Sequence, residues 1–79
     1  MKLEIITPEK IFFSGEVSSV TLPGAEGFFT MWENHAPIIS SLTKGKLTFT
    51  AKEGEQELNI EGGFVEANNN VVTVCLELL

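Results

Sequence analysis

The stretch "KLTFTAKEGEQELNIE", residues 46–61, decides the fold class. Leu47, Phe49 and Ala51 alternate with Lys46, Thr48, Thr50 and Lys52. That is a period of two, the spacing of a strand with one buried face. Leu58 and Ile60 repeat the pattern in "ELNIE", 57–61. "KEGEQ" lies between, and Gly54 supplies the positive φ that a tight turn takes without strain. The spacing predicts a β-hairpin.

Working outward, "GFVEA", 63–67, and "VVTVCLEL", 71–78, flank three asparagines at 68–70. Asparagine tolerates the left-handed region, which predicts a second hairpin. "LEII", 3–6, reads as a strand stopped by Thr7-Pro8, because proline disfavours helix before it and cannot donate to a ladder. "KIFFSGEVSSVTL", 10–22, reads as one long strand or two. Gly15 in its middle suggests a bulge or bend, and Pro23-Gly24 is expected to end it. No stretch carries a helical period. Short strands about 8–12 residues apart imply an all-β fold, a small flattened β-sandwich or barrel of short antiparallel strands. The chain of 79 residues reads as a single domain, 1–79, without linker or repeat.

A domain this small buries only roughly 60% of its unfolded-chain surface, so a deep substrate cavity is not expected. Eleven glutamates against five lysines, with no Asp and no Arg, give a net charge of −6. That balance argues against nucleic acid, which needs a basic patch. A basic protein surface is the better electrostatic match, although acid also simply keeps a small domain soluble. A single Cys makes no internal disulfide, and "MKLEIITPEK" has no apolar run fit for a signal peptide or membrane span. The expectation is a cytoplasmic chain that is not itself embedded in lipid.

Each residue that suggests chemistry has a plainer reading. His35, the only histidine, lacks a nearby nucleophile or ligand spacing, and a ring that satisfies loop backbone beside Pro37 explains it. Glu53, Glu55, Glu57 and Glu61 gather around a hairpin tip and its outward face, as a solvated surface does. Gly62-Gly63 lacks the lysine and helix of a phosphate loop and fits a tight strand entry. Cys75 stands between Val74 and Leu76 as packing. Lys52 at a turn raises the alternative of a carrier domain with a modified lysine, but the local motif of lipoyl and biotinyl carriers is missing. No metal or organic cofactor is expected, and no catalytic residue.

"GFFTMWENHAP", 27–37, is the most apolar surface candidate. Taken as a strand, 27–32 puts Phe29 and Met31 on one face and Phe28, Thr30 and Trp32 on the other. Exposed aromatics of this kind mark partner surfaces, whereas a thin, curled sandwich would bury both faces.

"LEIITPEKIFFSGEVSSVTLPGAEG", 3–27, "NHAPIIS", 34–40, and "EGGFVE", 61–66, in this order across the whole chain, resemble the epsilon subunit of the F-type ATP synthase, in particular its N-terminal β-sandwich domain. The resemblance implies a non-catalytic subunit at the foot of the rotating central stalk. Such a subunit binds the gamma subunit on one side and the membrane c ring along its lower edge, and helps couple proton or sodium flow to ATP synthesis. It would be peripheral to the cytoplasmic face of the membrane. Carried over by position, the c-ring edge comprises Glu26, Gly27, Phe28, Trp32, Asn34, His35 and Ala36, and the gamma side includes Thr7 and Ser40. Phe29 and Met31 then point inward. Three departures stand out. Phe28 replaces a residue that is often small or acidic in the family. Trp32-Glu33 replaces an aliphatic residue or Tyr followed by Pro, which puts the rigidity of the loop in question. The sequence also stops before the pair of C-terminal helices that many members carry, so inhibition by those helices is not expected of a 79-residue form.

Overall fold

The computed structural model describes residues 1–77. Eight strands follow one another: β1 (Lys2–Ile6), β2 (Ile11–Gly24), β3 (Gly27–Trp32), β4 (Ile38–Leu42), β5 (Gly45–Ala51), β6 (Gly54–Ile60), β7 (Gly63–Asn68) and β8 (Val71–Leu76). They hydrogen-bond in the order β1-β8-β7-β4-β2-β5-β6, with β3 also on β2 and β1 closing back onto β2. The long β2 joins the two layers. Its first half pairs with β1, and its second half lies between β3 and β5. The body measures 30 × 25 × 19 Å, the flattened shape of a sandwich.

Alternation fills the space between the layers. Leu3, Ile5, Val20, Leu22, Leu47, Val65, Val72 and Val74 are almost fully buried, and each faces inward at the even spacing of its strand. No polar or charged residue is buried among the described residues. The core is therefore held by the hydrophobic effect and by the backbone ladders around it.

Both predicted hairpins form. In the first, Ala51 pairs with Gly54 across Lys52-Glu53, and Gly54 takes φ 122°. In the second, Asn68 pairs with Val71, and both Asn69 (φ 52°) and Asn70 (φ 63°) are left-handed. Two left-handed residues make the type I′ turn, whose twist matches that of the flanking strands. The expected last strand, 71–78, reaches Leu76; Leu78 and Leu79 lie outside the described residues.

Three local expectations are corrected. The strands are not all antiparallel, since β1 and β8 run parallel from Lys2↔Val71 to Ile6↔Cys75. A period-two pattern fixes which face is buried but carries no strand direction. Gly15 is no bulge, because it pairs in register with Leu3; the irregularities fall at Phe12 and Ser18 instead. Gly15 makes room, as a Cβ there would stand 3.2 Å from Cζ of Phe13. The Phe13 ring thereby reaches inward to Phe49, with centroids 4.5 Å apart. Finally, Pro23 lies within β2 rather than ending it, opposite Phe28. Its fixed φ suits extended backbone, and its carbonyl accepts a hydrogen bond from the Thr43 amide at 2.8 Å.

Candidate functional site

β3 shapes the surface. Paired with β2 from Ser19↔Trp32 to Gly24↔Gly27, it turns successive side chains to opposite faces. Met31 is 5% exposed in the core, and Phe29 packs against it. Phe28 is 65% exposed and Trp32 63%. Thr30 lies between them on the outer face, its hydroxyl 2.8 Å from that of Thr21 on β2. Four residues of extended backbone separate the two rings by about 13 Å. They mark the two ends of one strand face.

At the Phe28 end, the turn Ala25-Glu26 leads into Gly27, whose φ of 123° favours glycine. Glu26, Gly27 and Phe28 form one wall of a cleft, and Ile38, Ile39 and Ser40 form the other. Ile39 is 75% exposed. Ser40 is half-buried, on the same strand face as Leu42, and its hydroxyl donates to the Ser41 carbonyl at 3.1 Å.

At the Trp32 end, the chain turns through Glu33, Asn34, His35 and Ala36. Asn34 is left-handed (φ 61°), and its amide donates to Oδ1 of Asn70 at 2.9 Å. Glu33 Oε1 accepts from the Met1 amino group at 3.2 Å, and that group also donates to the Val17 carbonyl at 3.1 Å. The loop that follows Trp32 is thus tied down at two points. His35 Nδ1 lies 2.9 Å from the Ala36 carbonyl. A carbonyl only accepts, so Nδ1 carries the proton in that bond. Nε2 is buried and has no partner among the described residues. The bond from Nδ1 is to loop backbone, in keeping with the plain reading of this histidine.

Thr7 occupies a third place. Its hydroxyl oxygen accepts from the amides of Glu9 (3.3 Å) and Lys10 (3.2 Å), which locks the β1–β2 turn. With Ile6 and Pro8 it forms one side of an apolar groove opposite Ser41, Phe64 and Cys75. Cys75 therefore packs in this outer groove, half-buried, while Val74 points to the core.

The nine residues singled out in the sequence accordingly fall into three groups. Glu26, Gly27 and Phe28 gather at one end of β3, together with Ser40. Trp32, Asn34, His35 and Ala36 gather at the other. Thr7 stands apart, and Ser41 rather than Ser40 shares its groove. Sequence reasoning missed Ile39 and the 48%-exposed Phe64 as surface residues. The same period-two reading would have found both, since Ile39 alternates with Ile38 and Ser40, and Phe64 with Val65.

The tie to Asn70 yields a measurable expectation. Asn70→Gly keeps the left-handed turn but removes the acceptor for the Asn34 amide. It should cost about 1 kcal/mol in urea denaturation and speed hydrogen exchange at Asn34. Unchanged exchange at Asn34 would mean that the bond does not hold the loop.

Residues 1–78 match the family model described as "ATP synthase, Delta/Epsilon chain, beta-sandwich domain". An ATP synthase epsilon chain from Chlorobium limicola is 43% identical over 77 residues, covering 96% of this chain and 88% of that protein. Another, from Leptospira interrogans serogroup Icterohaemorrhagiae serovar Lai (strain 56601), is 43% identical over 77 residues. There the match spans 98% of this chain but only 61% of the relative's length. Among solved structures, a chain of the Euglena gracilis mitochondrial ATP synthase (OSCP/F1/c-ring) superposes with a TM-score of 0.86 at 23% identity, over 94% of this chain and 48% of that one. A chain of the Tetrahymena thermophila mitochondrial ATP synthase central stalk/c-ring gives 0.81 at 17%, over 98% and 63%. At these identities the structural likeness is one of fold. The family match over nearly the whole sequence and the 43% identity to an epsilon chain agree with the eight-stranded sandwich: this chain belongs to the family of ATP synthase delta/epsilon-chain β-sandwich domains.

Proposed function

We propose that this chain is a non-catalytic docking subunit of the central stalk of an F-type ATP synthase. In this reading it joins the gamma subunit to the membrane c ring and helps transmit torque between ion flow and ATP synthesis. It is peripheral to the membrane, on its cytoplasmic face, through the complex. The observation that carries the reading is the outer face of β3, where a family domain this small leaves Phe28 and Trp32 about two-thirds exposed. Rings held in water at that cost fit a partner surface. The proposed ring-facing edge comprises Glu26, Gly27 and Phe28 at one end and Trp32, Asn34, His35 and Ala36 at the other. The proposed gamma side centres on Thr7, whose groove is walled by Ser41 and Phe64; Ser40 sits one position away, across the strand. The continuous sheet between these surfaces suits a part that passes on rotation.

Co-purification with separately expressed gamma subunit tests this. A stable complex is expected on size exclusion, lost when Thr7 and Ser41 are both changed to glutamate and kept when Ser40 alone is changed. A folded domain that forms no complex at about micromolar concentration, where a standard-sized interface holds, contradicts the stalk assignment. A complex indifferent to the double change moves gamma to another face.

A further inference from the structure

β6 is a free edge. Among the described residues it pairs only with β5, from Gly45↔Ile60 to Ala51↔Gly54, and its other side offers unpaired backbone groups over seven residues. Natural edges of this length are usually blunted by proline, by charged side chains, lysine above all, or by a bulge. β6, "GEQELNI", has no proline or lysine, its register with β5 is unbroken, and its only charges are Glu55 and Glu57.

The space beside this edge is apolar. Core-side positions 56, 58 and 60 of β6 are not equally covered: Ile60 is buried, Leu58 is half-buried and Gln56 is exposed. Between them and the start of β2 runs a trough of two neighbouring hollows, about 250 and 130 Å³, both bordered by Phe12 and Leu58, with Glu61 and Glu77 at the rim of the larger. Phe12 is 47% exposed along it, with Lys10 Nζ over its ring, 4.4 Å from the centre. The opposite face of β6 is acidic. Glu55 and Glu57 both point to solvent; Lys46 pairs with Glu57 at 3.4 Å, while Glu55 stands opposite Thr50. One lysine and four glutamates, Glu53, Glu55, Glu57 and Glu61, leave residues 52–61 with a net charge of −3.

We propose that β6 is a docking edge for an extended segment of a partner protein in which basic and apolar residues alternate. A strand added about 4.8 Å from β6 would send every second side chain into the trough beside Phe12 and Leu58, and the others over Glu55 and Glu57. Backbone bonds would give the edge its hold, the trough its apolar register, and the carboxylates its choice of sign. The same carboxylates disfavour a second copy, since two β6 edges side by side would bring like charges together. The proposal rests on this edge alone and stands or falls separately from the stalk assignment.

The probe is the peptide acetyl-Lys-Leu-Lys-Val-Lys-Leu-Lys-amide, titrated into the 79-residue chain and followed by amide NMR and hydrogen exchange. Shifts and new protection are expected in residues 55–59. Glu55→Lys with Glu57→Lys should weaken binding about tenfold or more, while the loss of the exposed Lys46–Glu57 pair lowers the melting temperature by only a few degrees and leaves the domain folded. Phe12→Ala should weaken it while leaving the charges intact. Equal binding of a peptide of the same composition with its lysines in one block would reduce the effect to bulk charge and overturn the proposal. So would the absence of any response in β6 at about 1 mM peptide, weaker than any useful affinity. Nuclear Overhauser contacts from the Leu78 or Leu79 methyls to Phe12 in the free chain would put the chain's own end in the trough, with the same consequence.

Discussion

A Gly63→Ala chain is expected to lose most of its stability. Gly63 enters β7 with φ 141°, where an L side chain is strained at a cost of about 1–3 kcal/mol. The space is closed as well. The new Cβ would fall inside the carbonyl oxygen of Cys75, with the Cys75 carbonyl carbon and the Leu76 Cα each at 3.1 Å. These are backbone atoms of the neighbouring strand and cannot swing aside. Relief would require moving β8, which also carries β1, or breaking the pairing of Gly63 with Leu42. Overpacking adds about 1–3 kcal/mol. Domains of this kind have about 5–15 kcal/mol in all, and small ones sit at the low end. Urea denaturation followed by circular dichroism checks it, with Gly54→Ala as the control. That glycine has φ 122° but open space around it, so its change carries backbone strain alone. A Gly63→Ala midpoint close to the parent's would mean that β7 does not enter the sheet as described.

The second large effect separates binding from stability within a single strand. Phe28→Ala and Trp32→Ala remove rings that are about two-thirds exposed, so each should change the stability of the free domain by no more than about 0.5 kcal/mol. Each should weaken docking to the stalk partners by about 30-fold, the scale of an aromatic anchor worth about 2 kcal/mol. Met31→Ala, on the opposite face of the same strand, should show the reverse pattern. Its side chain is 5% exposed in the core, and truncation there costs about 2–5 kcal/mol. Thermal melts and binding isotherms on the three variants check both halves. If Phe28→Ala or Trp32→Ala unfolds the free domain, that ring is structural and leaves the docking surface.

Seven of the eight strands were legible in the sequence, because one face of nearly every strand is buried and burial writes a period of two into the residues; β4 (Ile38–Leu42) was missed, its run being short and starting just after Pro37. The turns were legible where a backbone angle demands a residue type, as at Asn69-Asn70, Gly54 and Gly62-Gly63. What was hidden depends on partners distant in sequence. Nothing near β1 or β8 announces that the two run parallel, and Gly15 could not be told from a bulge without knowing that Phe13 lies over it. Alternation alone divided 27–32 into two faces, and the family resemblance was needed to say that Phe29 and Met31 point inward. How the site residues group followed from neither. The resemblance puts Ser40 and Thr7 on one side, while β4 turns Ser40 half inward and gives the groove of Thr7 to Ser41. The free edge of β6 was also invisible, since edge position is a property of the whole sheet.

The most direct test of the central claim is equilibrium binding of this chain to an assembled gamma–c-ring subcomplex, measured beside Phe28→Ala and Trp32→Ala, each confirmed as folded. The account predicts saturable binding by the parent chain and a loss of about 30-fold for each variant. Binding of equal strength by all three would contradict it, because the exposed face of β3 would then have no part in the docking from which the function is argued.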